Sequence, residues 1–137
     1  MNNKTKIVLI VLLLLLSTLA CSIFEREDGR FSGNRSISTN TSKSTFTDKT
    51  KNEVIEIEVK PDMRTNILKI NNIELDEGEI ILRLVTPEDE IIKAEVLAAP
   101  EKFNERFDLE IIPGLWKLEL EMHKASGSYN IKWEAKN

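Results

Sequence analysis

A chain of 137 residues, 31% charged and 41% hydrophobic with a formal net charge of −4, has material for one domain rather than several. The charge is unevenly spread: residues 51–137 hold twelve Lys and Arg against nineteen Asp and Glu, a net of −7, and such a segment repels nucleic acid and anionic headgroups. A lone cysteine, Cys21, excludes a disulfide within the chain, and a lone histidine, His123, leaves little for nucleophilic catalysis.

Chain order begins with an export signal. Lys4 and Lys6 precede an unbroken apolar run over 7–16, and Ser17-Thr18-Leu19-Ala20 leads to the thiol of Cys21. A positive front end, an apolar middle and small residues at the cut are what a cleaved secretory signal requires. A spanning helix needs about 20 apolar residues, and Ser17 and Thr18 interrupt the run before that length. Residues 18–21 resemble the lipobox of bacterial lipoproteins, with Ala20 before Cys21 as the pattern asks, and with Thr18 and Leu19 placing it in the looser form of the motif. The resemblance implies signal-peptidase recognition through Thr18, Leu19 and Ala20. It also implies acylation of Cys21 with a diacylglyceryl group and palmitate-type chains, hence a stable membrane tether on the extracytoplasmic side. Ser22 after the cysteine, by the same analogy, favours an outer membrane where the host has two. An ordinary secretory signal cut near Ala20, or an uncleaved anchor, is the alternative.

Residues 21–50 are rich in Ser, Thr and Asn, and the expectation is a flexible linker, because so little apolar surface cannot offset the entropy of ordering. From 51 to 137 the pattern has period two, the mark of half-buried strands. Ile55, Ile57 and Val59 alternate with charges before a turn at Pro61-Asp62. Leu68 and Ile70 lie in one phase and Ile73 and Leu75 in the other, which predicts a bulge at Asn71-Asn72. A turn is expected at Asp76-Glu77-Gly78. Ile80, Leu82 and Leu84 then share one face, Thr86-Pro87-Glu88-Asp89 turns the chain, and Ile92, Ala94 and Val96 are expected to return on the same face. Residues 98–105 read as a loop around Pro100.

Phe107, Leu109 and Ile111 form a further strand, and Pro113-Gly114 suits a crossover between sheets better than a two-residue hairpin. Trp116 to Met122 and Tyr129 to Trp133 read as a hairpin closed by Lys124-Ala125-Ser126-Gly127, with Met122 opposite Tyr129, Leu118 opposite Trp133, Glu119 against Lys132 and Lys117 against Glu134. Short strands with frequent turns and no helical period predict an all-β domain, a small antiparallel β-sandwich. Residues 113–118 and 126–131, with Leu84 to Asp89, resemble bacterial pre-peptidase C-terminal domains and related jelly-roll modules. That resemblance implies a jelly-roll-like accessory or binding module and names no ligand.

Candidate chemistry is sparse. Glu119, Glu121 and His123 share one strand face, but Ser128 or Asn130 would have to complete a poor metal-ligand set. The acidic stretches 76–79 and 88–90 match no calcium-loop spacing, and a carboxylate pair such as Asp108 and Glu110 is expected by chance among nineteen acids. No glycine-rich phosphate loop occurs, so no cofactor and no enzyme activity are expected. Ile81, Val85 and Ile91 fall in the outward phase and form a candidate interaction patch. The reading is a membrane-tethered lipoprotein presenting a binding or adhesion module for a protein or carbohydrate. The alternatives are a structural envelope component that assembles with another exported protein and, remotely, a hydrolase using carboxylates.

Overall fold

The computed structural model describes residues 36–137, and within them every regular element is a strand. They are β1 (Ile37–Val59), β2 (Thr65–Val85), β3 (Ile91–Ala98), β4 (Glu101–Asp108) and β5 (Gly114–Lys136). All pairings are antiparallel: β5 lies between β1 and β2, and the far edge of β2 is shared by β4 along 67–75 and β3 along 79–85.

The three long strands cannot be straight. A straight β5 would hold Trp116 and Trp133 roughly 55 Å apart, yet their rings meet edge to face with centroids 6.4 Å apart. Each long strand turns a corner where its pairing register shifts: near Asp48 in β1, at Asp76–Gly78 in β2 and at Lys124–Gly127 in β5. The sheet therefore folds over into two layers. The first holds 37–46, 127–136, 65–75 and β4 in that order, and the second holds 51–59, 114–122, 79–85 and β3. Two four-stranded layers in this order are a jelly-roll β-sandwich, which bears out the expected fold class.

The corners form a single seam. Asp48 N–H donates to Ser126 Oγ at 3.0 Å, Lys124 N–H to Thr50 Oγ1 at 3.1 Å, and Ala99 N–H to the Gly78 carbonyl at 3.0 Å. Gly78 has φ +78°, and a Cβ there would strike the carbonyls of His123 and Lys124, so the β2 and β5 corners approach as closely as only glycine permits.

Between the layers lie the expected apolar sets: Ile55, Ile57 and Val59; Leu68, Ile70, Ile73 and Leu75; Ile80, Leu82 and Leu84; Trp116, Leu118, Leu120 and Met122; Tyr129, Ile131 and Trp133. The change of phase at Asn71-Asn72 is a bulge against both neighbours of β2. The crossover at Pro113-Gly114 also holds, since β4 belongs to the first layer and the start of β5 to the second. The buried Trp133 donates its indole N–H to Asn66 Oδ1 at 2.8 Å, and Trp116 donates to the Ile112 carbonyl at 2.9 Å.

Several expectations are corrected. Residues 37–50 were expected in the linker, but β1 starts at Ile37: its inward side chains Ser38, Asn40, Ser42 and Ser44 are small and polar, and the backbone ladder to β5 orders them. The rest of the expected linker, 21–35, and the signal segment with Thr18, Leu19, Ala20 and Cys21 lie outside the described residues. Lys124 to Gly127 is a corner and not a hairpin loop, so Met122 pairs with Lys51 and Ile80, and Tyr129 with Ser44 and Ile73. The proposed charge pairs Glu119/Lys132 and Lys117/Glu134 are accordingly split between layers. Asp76–Gly78 continues β2 around its corner, residues 101–105 are strand, and Ile92, Ala94 and Val96 face outward, with Leu97 on the inward side.

Candidate functional site

The depressions lined by Lys69 to Asn71 with Asn104 to Arg106, and by Glu74 to Asp76 with Pro100 to Lys102, are open to solvent, so the outer faces carry the candidate chemistry. On the second layer these come from the alternate residues Val54 and Glu56, Lys117 to Glu121, Glu79 to Arg83, and Ile92 to Val96. Glu121 lies between a guanidinium and an imidazole here, 2.8 Å from Arg83 Nη1 and 2.8 Å from His123 Nε2. Hydrogen bonds from Arg83 and then His123 hold its carboxyl below the usual range. Glu121 is thus already partnered, and Ser128 and Asn130 lie in the other layer, too far around the corner to complete a ligand set with His123. No group of three His, Cys, Asp or Glu that could hold a metal ion occurs among the described residues.

The expected patch is redistributed. Ile91 is 54% exposed, Ile81 is half-buried, and Val85 is only 6% exposed, so the three do not form one open surface. Ile81 instead pairs with Val96, which is 59% exposed and shares its strand face with Ile92; the exposed Val54 lies on the opposite edge of the layer, across β5 and β2. The signal for this was the phase of β3: Lys93, Glu95 and Leu97 point inward, and the ion pair Lys93–Glu95 at 2.8 Å lies along the open edge. Charges aimed inward on an edge strand discourage sheet-to-sheet pairing.

The first layer's outer face is of the opposite sign. It carries Lys43, Lys69, Lys102, Arg106, Lys132 and Lys136 against Glu74, Asp108 and Glu134. Lys69 pairs in register with Lys132 on one side and Arg106 on the other, which puts three cations in one row across three strands. Like charges directly opposite destabilise a sheet. The flanking two are partly neutralised, Arg106 by a two-point contact with Asp108 at 2.8 and 3.2 Å, and Lys132 by Glu134 at 3.2 Å. Lys69 makes no ion pair among the described residues. The next row is amide-rich: Asn130 opposes Asn72, with Lys43 beyond it, and Asn104 lies opposite the bulge. Lys69, Asn71, Asn104 and Arg106, with Ile70 and Glu105, line an open depression of about 280 Å³.

Sequence reasoning missed this face because its residues are scattered over four strands and only the register aligns them. Of the carboxylates suggested for acid and base work, one is already engaged. Asp108 is tied to Arg106, which holds it below its usual range, while the backbone carbonyl of Glu110 accepts from Asn66. The acidic stretches 76–79 and 88–90 lie at a corner and at the β2–β3 turn.

At the β1 edge the layers are joined by polar contacts. Tyr129 donates its hydroxyl to Glu53 Oε2 at 2.5 Å, Lys51 pairs with the same carboxylate, Ser42 Oγ lies 3.3 Å from the Tyr129 oxygen, and Asn40 donates to the Glu56 carbonyl at 2.8 Å. Burial pushes the Glu53 carboxyl up, but the hydrogen bonds from Lys51 and Tyr129 together leave it below its ordinary value.

No protein-family model matches the chain, and no curated protein matches it. Among solved structures, it is similar to one described as Bacillus endospore appendages forming a family of disulfide-linked pili. The TM-score is 0.46 at 8% identity, covering 76% of this chain and 89% of that one. It is also similar to a CBM36-1 domain of a multidomain xylanase from the hindgut metagenome of Trinervitermes trinervoides, with TM-score 0.38, 8% identity and coverage of 76% and 97%. A third is dimeric latent PorU from Porphyromonas gingivalis, with TM-score 0.41, 6% identity and coverage of 74% and 13%.

Proposed function

We propose that the protein is a lipid-anchored extracytoplasmic binding module, held at a bacterial membrane through acylated Cys21 and presenting the outer face of its first layer to a ligand. The observation that carries the binding role is the row Lys132, Lys69, Arg106, in which like charges oppose one another across the sheet and Lys69 makes no direct ion pair among the described residues. The export signal and Thr18-Leu19-Ala20-Cys21 support the anchor. One acyl chain holds a protein only marginally and two hold it firmly, so diacylation would make the attachment lasting.

A second reading, a structural envelope component that assembles with another exported protein, is favoured by the exposed Ile92 and Val96 beside Ile81 on the second layer. The anchor is tested by labelling cells with a fatty-acid probe. The wild type should take up label and stay with the membrane fraction, and Cys21→Ala should lose both. Equal labelling of the variant, or none of the wild type, rules out the lipoprotein. Neutralising both Lys69 and Lys132 as Gln tests the binding role: it should abolish ligand capture by the anchored protein without lowering its melting temperature.

A further inference from the structure

We propose that the outer face of the first layer binds an anionic polysaccharide whose units carry carboxylates, an inference that rests on that face being the ligand surface. Residues paired in register on adjacent strands lie about 5 Å apart, so Lys132, Lys69 and Arg106 place positive charge at regular intervals along a line crossing the strands. A polymer lying along that line meets cations on one side. On the other it meets the row of Asn130, Asn72 and Asn104, whose amides both donate and accept and so match sugar hydroxyls. Charge and hydroxyl recognition side by side fit an acidic sugar chain.

The composition of the face narrows the class further. The aromatic side chains of this layer, Phe46, Phe103, Phe107, Tyr129 and Trp133, are all buried in or packed against the core, so none is offered outside. Without an exposed ring there is no platform for the apolar side of a neutral sugar and none for stacking nucleic-acid bases. A polyphosphate would satisfy the lysines and leave the amide row without hydroxyl partners. An acidic peptide would meet the same cations, and titration with polyglutamate separates it from a sugar chain. Lys69 makes no direct ion pair among the described residues and feels Asp108 only at longer range, so a ligand carboxylate would relieve its repulsion from both neighbours.

The test uses the full-length chain in a polyoxyethylene detergent, titrated with polygalacturonate, its methyl ester, polyglutamate and polyphosphate. Polygalacturonate should bind, with affinity falling as salt rises, and esterification should weaken it at least about tenfold because the charges are removed. Lys69→Gln and Lys132→Gln should each weaken binding about three- to tenfold, while Lys117→Gln on the opposite layer should leave it unchanged. A merely structural Lys69 would lower the melting temperature when replaced; here Lys69→Gln should melt no lower than the wild type. Equal binding of the methyl ester overturns the proposal, as does an equal effect of Lys117→Gln. If polyglutamate or polyphosphate binds as tightly as polygalacturonate, through the same lysines, the ligand face stands and the sugar assignment falls. If the wild type binds none of the four, both fall.

Discussion

The two layers of this sandwich share the three long strands β1, β2 and β5, share one core, and present outer faces of opposite character. The first is cationic and amide-rich. The second is acidic, with Glu56, Glu119 and Glu121 set among exposed Val54, Ile92 and Val96. Overall charge hides this: a segment with a net of −7 repels polyanions only on average, and alternation along the strands sorts its cations onto one surface. The expectation that the domain avoids anionic partners rests on that average and is reversed, in our proposal, for the first layer's face. What differs between the layers is also what each tolerates. On the second layer Arg83 sits opposite Glu119 and bonds Glu121, an arrangement that favours the sheet, whereas the cationic row of the first layer opposes it.

The largest effects should show no difference between layers. Trp116 and Trp133 are each about 1% exposed or less and touch across the core, so either replaced by Ala should cost about 3 to 5 kcal/mol in denaturant unfolding. A much smaller loss for one would mean that the layers do not share a core. Asn66 separates them at the next level. Asn66→Ala strands the Trp133 indole N–H and should cost about 1 to 3 kcal/mol, with no counterpart at Trp116, whose partner is backbone.

Within the second layer, Val85→Ser should destabilise by about 1 to 3 kcal/mol because it buries a hydroxyl, whereas Ile91→Ser should stay within about 0.5 kcal/mol of wild type. Equal effects would restore the three-residue patch. The outer charges give the smallest changes and opposite signs: Lys69→Gln should raise the melting temperature slightly, and Arg83→Gln should lower it slightly. At the β1 edge, Glu53 has a folded pKa below the ordinary 4.5, so its stabilisation is present above that value and fades as pH falls through the folded pKa. Glu53→Gln should therefore melt below wild type at neutral pH and converge with it in acid. A gap that stays constant with pH would show that the Lys51 and Tyr129 contacts contribute nothing through charge.

Much of the fold was legible because burial imposes period two on every inward strand. The bulge at Asn71-Asn72, the crossover at Pro113-Gly114 and nearly all core residues follow from that alternation. The errors share one cause: local chemistry does not say whether a glycine-bearing break turns the chain back or carries it round a corner. Lys124 to Gly127 looks like a hairpin loop, and Lys124 does adopt φ +45°. Yet the strand continues in the other layer and its partners are β1 and β2. The polar start of β1 escaped notice for a related reason, since its order comes from a ladder to β5 and not from side chains of its own.

By itself, then, the sequence determined the all-β class and most of the inward set of side chains, because hydrophobic pattern is a property of neighbouring residues. Only the tertiary structure decided which strands face each other and hence which charges meet. Lys69, Lys132 and Arg106 are far apart in the chain, and it is the register of three strands, set by the buried faces beneath them, that brings them into a single row.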